Sequence, residues 1–163
     1  MAETENKEQV ELNLEQKVTV KNIAGWSVGF ARIDSIGDVT ITADGSTKLS
    51  RNEIIAQVQN GNRLFTGVNG DGSHATLFID DEPTRKEVGF DSDDGKTKQL
   101  VFSDDAVKQM FAAKSQPAFE KSLHEIIRTR AEKYAVIQAI KRLKINDYSK
   151  IRLVEDYTGF KVQ

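Results

Sequence analysis

Two histidines, His74 and His124, are the residues of this sequence best suited to chemistry. A zinc site needs three or four ligands in a fixed geometry, and a hydrolytic nucleophile needs a base within hydrogen-bond reach. Ser73 adjoins His74, but neighbours on a turn rarely adopt that geometry, and the chain has no nucleophile elbow. We therefore interpret both imidazoles as solvent-exposed or locally hydrogen-bonded. A small enzyme using His74 with Asp71 is the third of three hypotheses.

The glycine-rich segment 67–73 can be compared with ligand-binding loops. It lacks the Lys-Ser/Thr ending of a P-loop and does not lead into a predicted helix. Oxygen-bearing side chains alternate at Asn69, Asp71 and Ser73, as they do at the start of a calcium loop. His74 occupies the position where a calcium loop requires glycine. A wide hairpin loop is therefore the favoured interpretation.

Consecutive carboxylates at residues 80–82 are the remaining candidates for acid–base catalysis. They adjoin Pro83, so they indicate a turn and not a substrate cleft. No catalytic, cofactor-binding or metal-ligating set converges in the sequence. We therefore predict a protein that is not an enzyme and that carries no cofactor.

Charge is distributed unevenly along the chain, although the formal net charge is only −2. Residues 1–16 and 70–95 are acidic, whereas residues 121–152 are basic. Opposite charges at two places on a chain attract a neighbouring copy, and a basic segment also attracts polyanions. The candidate interaction residues lie within the basic segment and are Arg128, Arg130, Lys133, Tyr134, Lys141, Arg142 and Lys144.

Three interpretations of the basic segment remain open: a solvated helix face, a protein-docking face and a nucleic-acid contact. A docking face needs an apolar anchor at its centre, for which Phe119, Ile127 and Tyr134 are candidates. Phosphate contacts would use the same cations, but the chain is slightly acidic overall and only 7% aromatic. We predict that the partners are other protein subunits, in self- or hetero-assembly. A nucleic-acid-associated regulatory protein is the alternative.

The bulk composition narrows the class of protein. The 163 residues suffice for one domain with its own core. The absence of cysteine excludes disulfides, thiolate catalysis and thiolate zinc sites. The sequence has no apolar run long enough to cross a membrane, and its first residues lack the apolar region of a secretory signal. We therefore expect no membrane partner and no secretion through a signal peptide.

Apolar periodicity predicts an α+β fold, in which an antiparallel β-rich module, a small barrel or sandwich, precedes a helical segment. Residues 1–16 are predicted to form a flexible acidic arm. Residues 17–102 form the β-rich module, with one short helix at 50–59. Asp44 and Gly45 predict a hairpin turn within this module.

The second half of the chain is predicted to be helical over residues 103–145, with a tail at 146–163. One long helix is conceivable here, because no glycine or proline follows Pro117 before Leu143. However, when the segment is placed at helical spacing, the apolar residues of its first part and those of its second part lie on different faces. We therefore predict a bend or break near residues 128–131, or else one continuous helix that packs against two partners.

The layout resembles small accessory virion proteins of tailed bacteriophages, from the head, neck or tail. The residues that suggest this are 60–67 (NGNRLFTG), 72–75 (GSHA) and 89–90 (GF), followed by capped helices, and the resemblance covers roughly residues 17–145. It implies a β-rich module packed beside neighbouring copies, with an arm or helices between subunits. The expected function is thus that of a structural protein in an oligomeric assembly, located in a virion or in the cytoplasm.

Overall fold

A computed structural model of the chain describes residues 11–99 and 102–162. The α+β fold predicted from periodicity is confirmed, with antiparallel strands in the N-terminal half and helices in the C-terminal half. Residues 1–10, the greater part of the predicted arm, lie outside the described residues. In the remainder of the arm, the backbone oxygens of Leu14 and Gln16 accept hydrogen bonds from Asn52 and Arg51. These bonds place residues 14–16 with the β-rich module.

The described residues form five strands: β1 (Lys17–Asn22), β2 (Val28–Ala31), β3 (Asp38–Ile41), β4 (Ser46–Ser50) and β5 (Leu77–Asp80). They form two separate antiparallel sheets, one with the order β4-β1-β5 and one of β2 paired with β3. Alternate residues of β1 face the core, so Val18 lies opposite Leu49 and Val20 lies opposite Ile79. The three-stranded sheet is thereby fixed in register by its buried face.

The turn at Asp44 and Gly45 does not close a hairpin between β3 and β4, as the dipeptide predicted. It carries the chain from one sheet to the other, because its backbone bonds to the segment after β1. The Asp44 N–H donates to the carbonyl of Ala24, and the Gly45 carbonyl accepts from the Asn22 N–H. The buried side-chain amide of Asn22 also donates, through Nδ2, to the carbonyls of Trp26, Ile41 and Thr42 at 2.9–3.2 Å. These long-range bonds override the local hairpin preference.

Within residues 17–99 of the β-rich module the structure has three short helices, where one was predicted: α1 (Arg51–Gln59), α2 (Arg63–Thr66) and α3 (Glu82–Glu87). The first matches the predicted helix at 50–59. The other two begin at side-chain caps, since Asn62 accepts from the Leu64 N–H and Asp81 accepts from the Thr84 N–H. Pro83 fits the first turn of α3, where no N–H is needed, so it starts a helix here and not a turn.

The helical half consists of α4 (Asp104–Phe111), α5 (Gln116–Ile126), α6 (Arg130–Arg142) and α7 (Tyr148–Thr158). The predicted break near residues 128–131 is confirmed, because α5 ends at Ile126 and α6 begins after its cap, Thr129. The predicted tail contains a helix, α7, which is capped by Asp147 and ends at Gly159 in a left-handed conformation. No helix in the described parts of the chain is long and apolar enough to cross a membrane.

The buried apolar residues that the structure describes form two hydrophobic clusters, one in each half of the chain. We call the cluster of the N-terminal half, which includes Val20, Phe65 and Ile79, the front cluster. The cluster of the C-terminal half, which includes Phe119 and Ile127, is the rear cluster. The prediction that Phe119 or Ile127 anchors a partner is wrong, because both side chains are fully buried in the rear core. Of the three candidate anchors, only Tyr134 reaches the surface.

An ion pair between Arg51 and Asp81 joins α1 to α3. The Arg51 Nε lies 3.0 Å from the Asp81 Oδ2, and both side chains are largely buried. Burial raises the pKa of the Asp81 carboxyl, but hydrogen bonds from Arg51 and Thr84 and the arginine charge outweigh it, so the net pKa is lowered. A carboxylate whose pKa falls on folding stabilises the protein above its unfolded pKa, and this contribution is lost as pH falls through the folded value.

Replacing Asp81 with Asn is therefore expected to lower the free energy of unfolding by about 2 kcal/mol at neutral pH, because it removes charged hydrogen bonds but keeps a helix cap. The difference between the variant and the natural protein should shrink as pH falls below 3.8, the ordinary pKa of the group. Urea unfolding across this range measures it. Asp80→Asn is the control, since its pair with Lys21 is exposed. If the difference in free energy of unfolding between Asp81→Asn and the natural protein stayed constant as the pH fell, the ionised Asp81 carboxylate would not be its source.

Candidate docking surface and a buried histidine

Trp26, the only tryptophan of the chain, lies on the surface between β1 and β2 and is 39% exposed. The Arg130 guanidinium at the start of α6 lies over its ring, 5.5 Å from the centroid. The Tyr134 ring, one turn further along α6, meets it edge-on at a centroid distance of 6.2 Å. A cation over a tryptophan face is held by the ring quadrupole, so the three side chains fix one another's orientation.

The aromatic contact continues from Tyr134 to Phe160, which follows α7, at a centroid distance of 6.1 Å. Gly25 allows the tyrosine to approach the chain, because a Cβ at this position would lie 2.0 Å from the Tyr134 ring. We refer to Trp26, Arg130, Tyr134 and Phe160 together as the aromatic band. It joins the β-rich module, which supplies Trp26, to two elements of the helical half.

A second cation lies against an aromatic ring on the neighbouring side of α6. The Lys133 Nζ lies 5.1 Å from the Tyr157 ring centroid, and Tyr157 stacks on His124 at 4.4 Å with an angle of 18°. The Tyr157 hydroxyl donates to the Ile127 carbonyl at 2.7 Å, which holds this ring in place. His124 is thus an exposed, stacked side chain, in line with its sequence-based interpretation.

The seven candidate residues fall into three groups: residues packed against an aromatic ring, a residue in an ion pair, and exposed residues without an ion pair. Arg130 and Tyr134 meet at Trp26, and Lys133 lies on Tyr157. Arg142 pairs with Asp104 of α4, and the hydrogen bond that the guanidinium donates to this carboxylate raises the pKa of the guanidinium. The remaining candidates are exposed and form no ion pair with any residue in 11–99 or 102–162: Arg128, Lys141 and Lys144.

The acidic segment 70–95 is less charged on its surface than its composition indicates. Half of its eight acidic side chains pair within the chain, with the partners Lys21, Arg51, Arg85 and Lys86. Among the described residues, the acidic side chains of this segment without an ion pair are Asp71, Glu87, Asp93 and Asp94, and all four are exposed. The charge available for a partner is therefore concentrated on these four carboxylates.

His74 is buried and bonded to a residue distant in sequence, contrary to its interpretation as a solvent-exposed or locally hydrogen-bonded imidazole. It is 4% exposed, and its Nδ1 lies 2.9 and 3.0 Å from the two carboxylate oxygens of Glu132, which is 2% exposed. Asp71, the partner suggested by the sequence, is exposed, and its Oδ1 accepts from the Ser73 N–H at 3.0 Å. The chemistry of the histidine is thus set by a glutamate 58 residues away.

Glu132 owes its position to the start of α6. Thr129 caps the helix by accepting from the Glu132 N–H at 3.1 Å, and the Glu132 side chain folds back to accept from the Thr129 N–H at 3.0 Å. The Arg128 N–H donates to the same carboxylate oxygen at 3.1 Å. One buried carboxylate therefore satisfies two backbone N–H groups and the histidine, which joins the helical half to the loop of the β-rich module.

The loop 67–73 presents His74 through tight backbone contacts. His74 itself has a positive φ of 60°, which is uncommon for a residue with a side chain. The Gly72 carbonyl accepts from the Gln99 side chain at 2.7 Å, and a Cβ on Gly72 would lie 2.5 Å from the Phe90 ring. The loop therefore packs against its own module. Among the described residues, no group of three or more ligating side chains could hold a metal ion.

Sequence reasoning missed two features of these sites. Trp26 was not singled out; it precedes β2, which begins at Val28, and the signal was a lone tryptophan directly after Gly25. Glu132 was not singled out, although Thr129 and Glu132 have the spacing of a capping box. No sequence signal joins Glu132 to His74, because their contact depends on the packing of two halves.

The chain matches no family model, no curated protein and no solved structure.

Proposed function

We propose that this protein is a non-enzymatic structural and interaction protein of a macromolecular assembly, and that the aromatic band is its docking surface. We propose more specifically an accessory virion protein of a tailed bacteriophage, because a β-rich module followed by capped helices resembles the layout of such proteins. The proposal depends chiefly on one observation: Trp26 is 39% exposed and is held between Arg130 and Tyr134.

Tryptophan, tyrosine and arginine are the residue types that contribute most binding energy at protein interfaces. In the aromatic band, Trp26, Tyr134 and Arg130 are already packed against one another, so a partner would not have to order them on binding. Arg128 and Lys133 lie close to Arg130 in the chain and add two further cations to the start of α6 and the segment before it. These features support a partner that presents an apolar contact with carboxylates around it.

A second copy of the chain offers such carboxylates. Asp71, Glu87, Asp93 and Asp94 are exposed and form no ion pair within the described residues. Charge complementarity of this kind speeds encounter and fixes register, while the aromatic centre supplies the affinity. We therefore assign the docking to contacts between the aromatic band of one copy and the acidic 70–95 segment of the next.

Sedimentation velocity of the purified chain at low salt tests this assignment. We expect concentration-dependent association that weakens about tenfold in Trp26→Ala and in Arg130→Glu. Lys48→Glu is the matched control, because it makes the same charge change at an exposed position on β4 and should leave association unaltered.

Exchanging the charges makes the test more specific. An Arg130→Glu, Lys133→Glu variant and a Glu87→Lys, Asp93→Lys variant should each fail to associate alone. Mixing the two should restore association, because the reversed surfaces are again complementary. A chain that remains monomeric at every salt and protein concentration would contradict docking between copies.

Nucleic-acid binding is the second candidate function, and the cations beside aromatic rings favour it. Aromatic side chains next to lysine and arginine are a common platform for single-stranded bases. The pairs Arg130 with Trp26 and Lys133 with Tyr157 have this composition. Binding of single-stranded DNA whose logarithm falls linearly with the logarithm of salt concentration would favour this function over docking between copies.

A further inference from the structure

A partly enclosed cavity of about 260 Å³ lies beside the His74–Glu132 pair. Its walls are mainly apolar and come from Phe102, Ala106 of α4 and Ile126 of α5. His74 lines it from the loop of the β-rich module, and Gln109 lines it from α4. The cavity therefore lies between the two halves of the chain, where ligand sites are common.

The free edge of the imidazole opens into this cavity. The Nδ1 of His74 is bonded to Glu132, and Nε2 forms no hydrogen bond with any described residue. Among the side chains that the structure describes, Gln99 Oε1 is the only fully enclosed polar atom without a partner. The unbonded Nε2 is therefore not sealed off, and the cavity that His74 lines is the space available to it.

The glutamate sets which nitrogen carries the proton. Its Oε1 accepts from the backbone N–H groups of Arg128 and Thr129, and both carboxyl oxygens face Nδ1 of His74. These oxygens act as acceptors, so the imidazole donates from Nδ1. In the neutral ring Nε2 then carries a lone pair, and it points out of the buried pair as a hydrogen-bond acceptor.

Size and polarity define the ligand. An apolar protein cavity of about 150 Å³ already holds benzene, so about 260 Å³ leaves room for one ring with a small substituent. The walls at Phe102 and Ile126 suit the faces of an aromatic ring. A donor group on that ring would satisfy Nε2, whereas a purely apolar ring would leave this nitrogen without a partner.

We propose that this cavity is a binding site for a small aromatic or heteroaromatic molecule whose hydroxyl or N–H group donates to Nε2 of His74. The site is separate from the aromatic band, and it does not depend on the docking function. The ring lies between α4 and α5, and the His74–Glu132 pair fixes the position of its polar end.

Phenol and benzene are suitable probes, since they differ only in the donor group. We would titrate each into the full-length chain at millimolar concentrations and follow the ring nitrogens of both histidines by NMR. Phenol should shift the Nε2 signal of His74 and bind roughly three- to tenfold more tightly than benzene, as one hydrogen bond allows. The ring of His124, which stacks on Tyr157, serves as the internal control and should not move.

Two variants locate the binding. Ala106→Leu fills the cavity from α4 and leaves His74 and Glu132 intact, so it should abolish binding of both probes. His74→Phe removes the acceptor and should abolish the preference for phenol. The cavity-filling variant keeps the test decisive even if the histidine variant fails to fold. An unmoved His74 signal, equal affinity for the two probes, or binding that survives Ala106→Leu would overturn the proposal.

Discussion

Replacing Glu132 with alanine is expected to lower the free energy of unfolding by about 4 kcal/mol, because the change removes half of a buried pair and a helix cap together. The carboxylate accepts from His74, Arg128 and Thr129, so three buried or half-buried donors lose their acceptor. Urea unfolding followed by circular dichroism measures the loss. Glu132→Gln should recover part of it, since the amide oxygen still accepts one of these bonds.

Glu125→Ala is the matched control for this prediction. Glu125 lines the same cavity from the end of α5, but its side chain is exposed. Its replacement should change the free energy of unfolding by less than about 0.5 kcal/mol. A loss of similar size in the two variants would show that the buried pair does not carry the stability that we assign to it.

Replacing Gly67 with alanine is expected to cost about 4 kcal/mol, because strain and a backbone clash add. Gly67 has φ 73° and ψ −158°, a region populated almost only by glycine. A Cβ there would lie 2.1 Å from the Ser73 carbonyl oxygen, an atom that cannot move without displacing the loop before His74. Thermal or urea unfolding measures the effect on stability.

Gly70→Ala separates the two contributions. Gly70 lies in the same loop with φ 82°, but nothing lies within 4 Å of the position of its Cβ. Its replacement should therefore cost only the conformational strain, about 1 kcal/mol. If the two alanine variants lose equal stability, the close approach to Ser73 is not what requires glycine at position 67.

Local signals in the sequence predict those parts of the fold that depend on neighbouring residues. The shift of the apolar stripe predicts the break before α6, because a helix face is determined by spacing alone. The helix α3 was missed because six residues are too few to show a period, although Asp81 and Pro83 provide a start signal. The change of sheet at Asp44 was also missed, because it depends on bonds from Asn22, which is distant in sequence.

The candidate sites divide in the same way. Charge along the chain identifies Arg130 and Lys133 as residues to examine, because composition alone reveals a basic segment. The exposure of Trp26 and the burial of His74 could not be predicted, since each depends on α6, which lies far along the chain. Phe119 and Ile127 were misjudged as anchors for a related reason: a sequence shows which residues are apolar but not which of them the fold encloses.

The aromatic band crosses the boundary between the two hydrophobic clusters. Trp26 belongs to the half that contains the front cluster, and Arg130 belongs to the half that contains the rear cluster. A molecule that binds both residues at once would connect the two halves. Its binding would raise the free energy needed to separate the halves from each other, so that under the proposed function assembly and cooperative unfolding are linked.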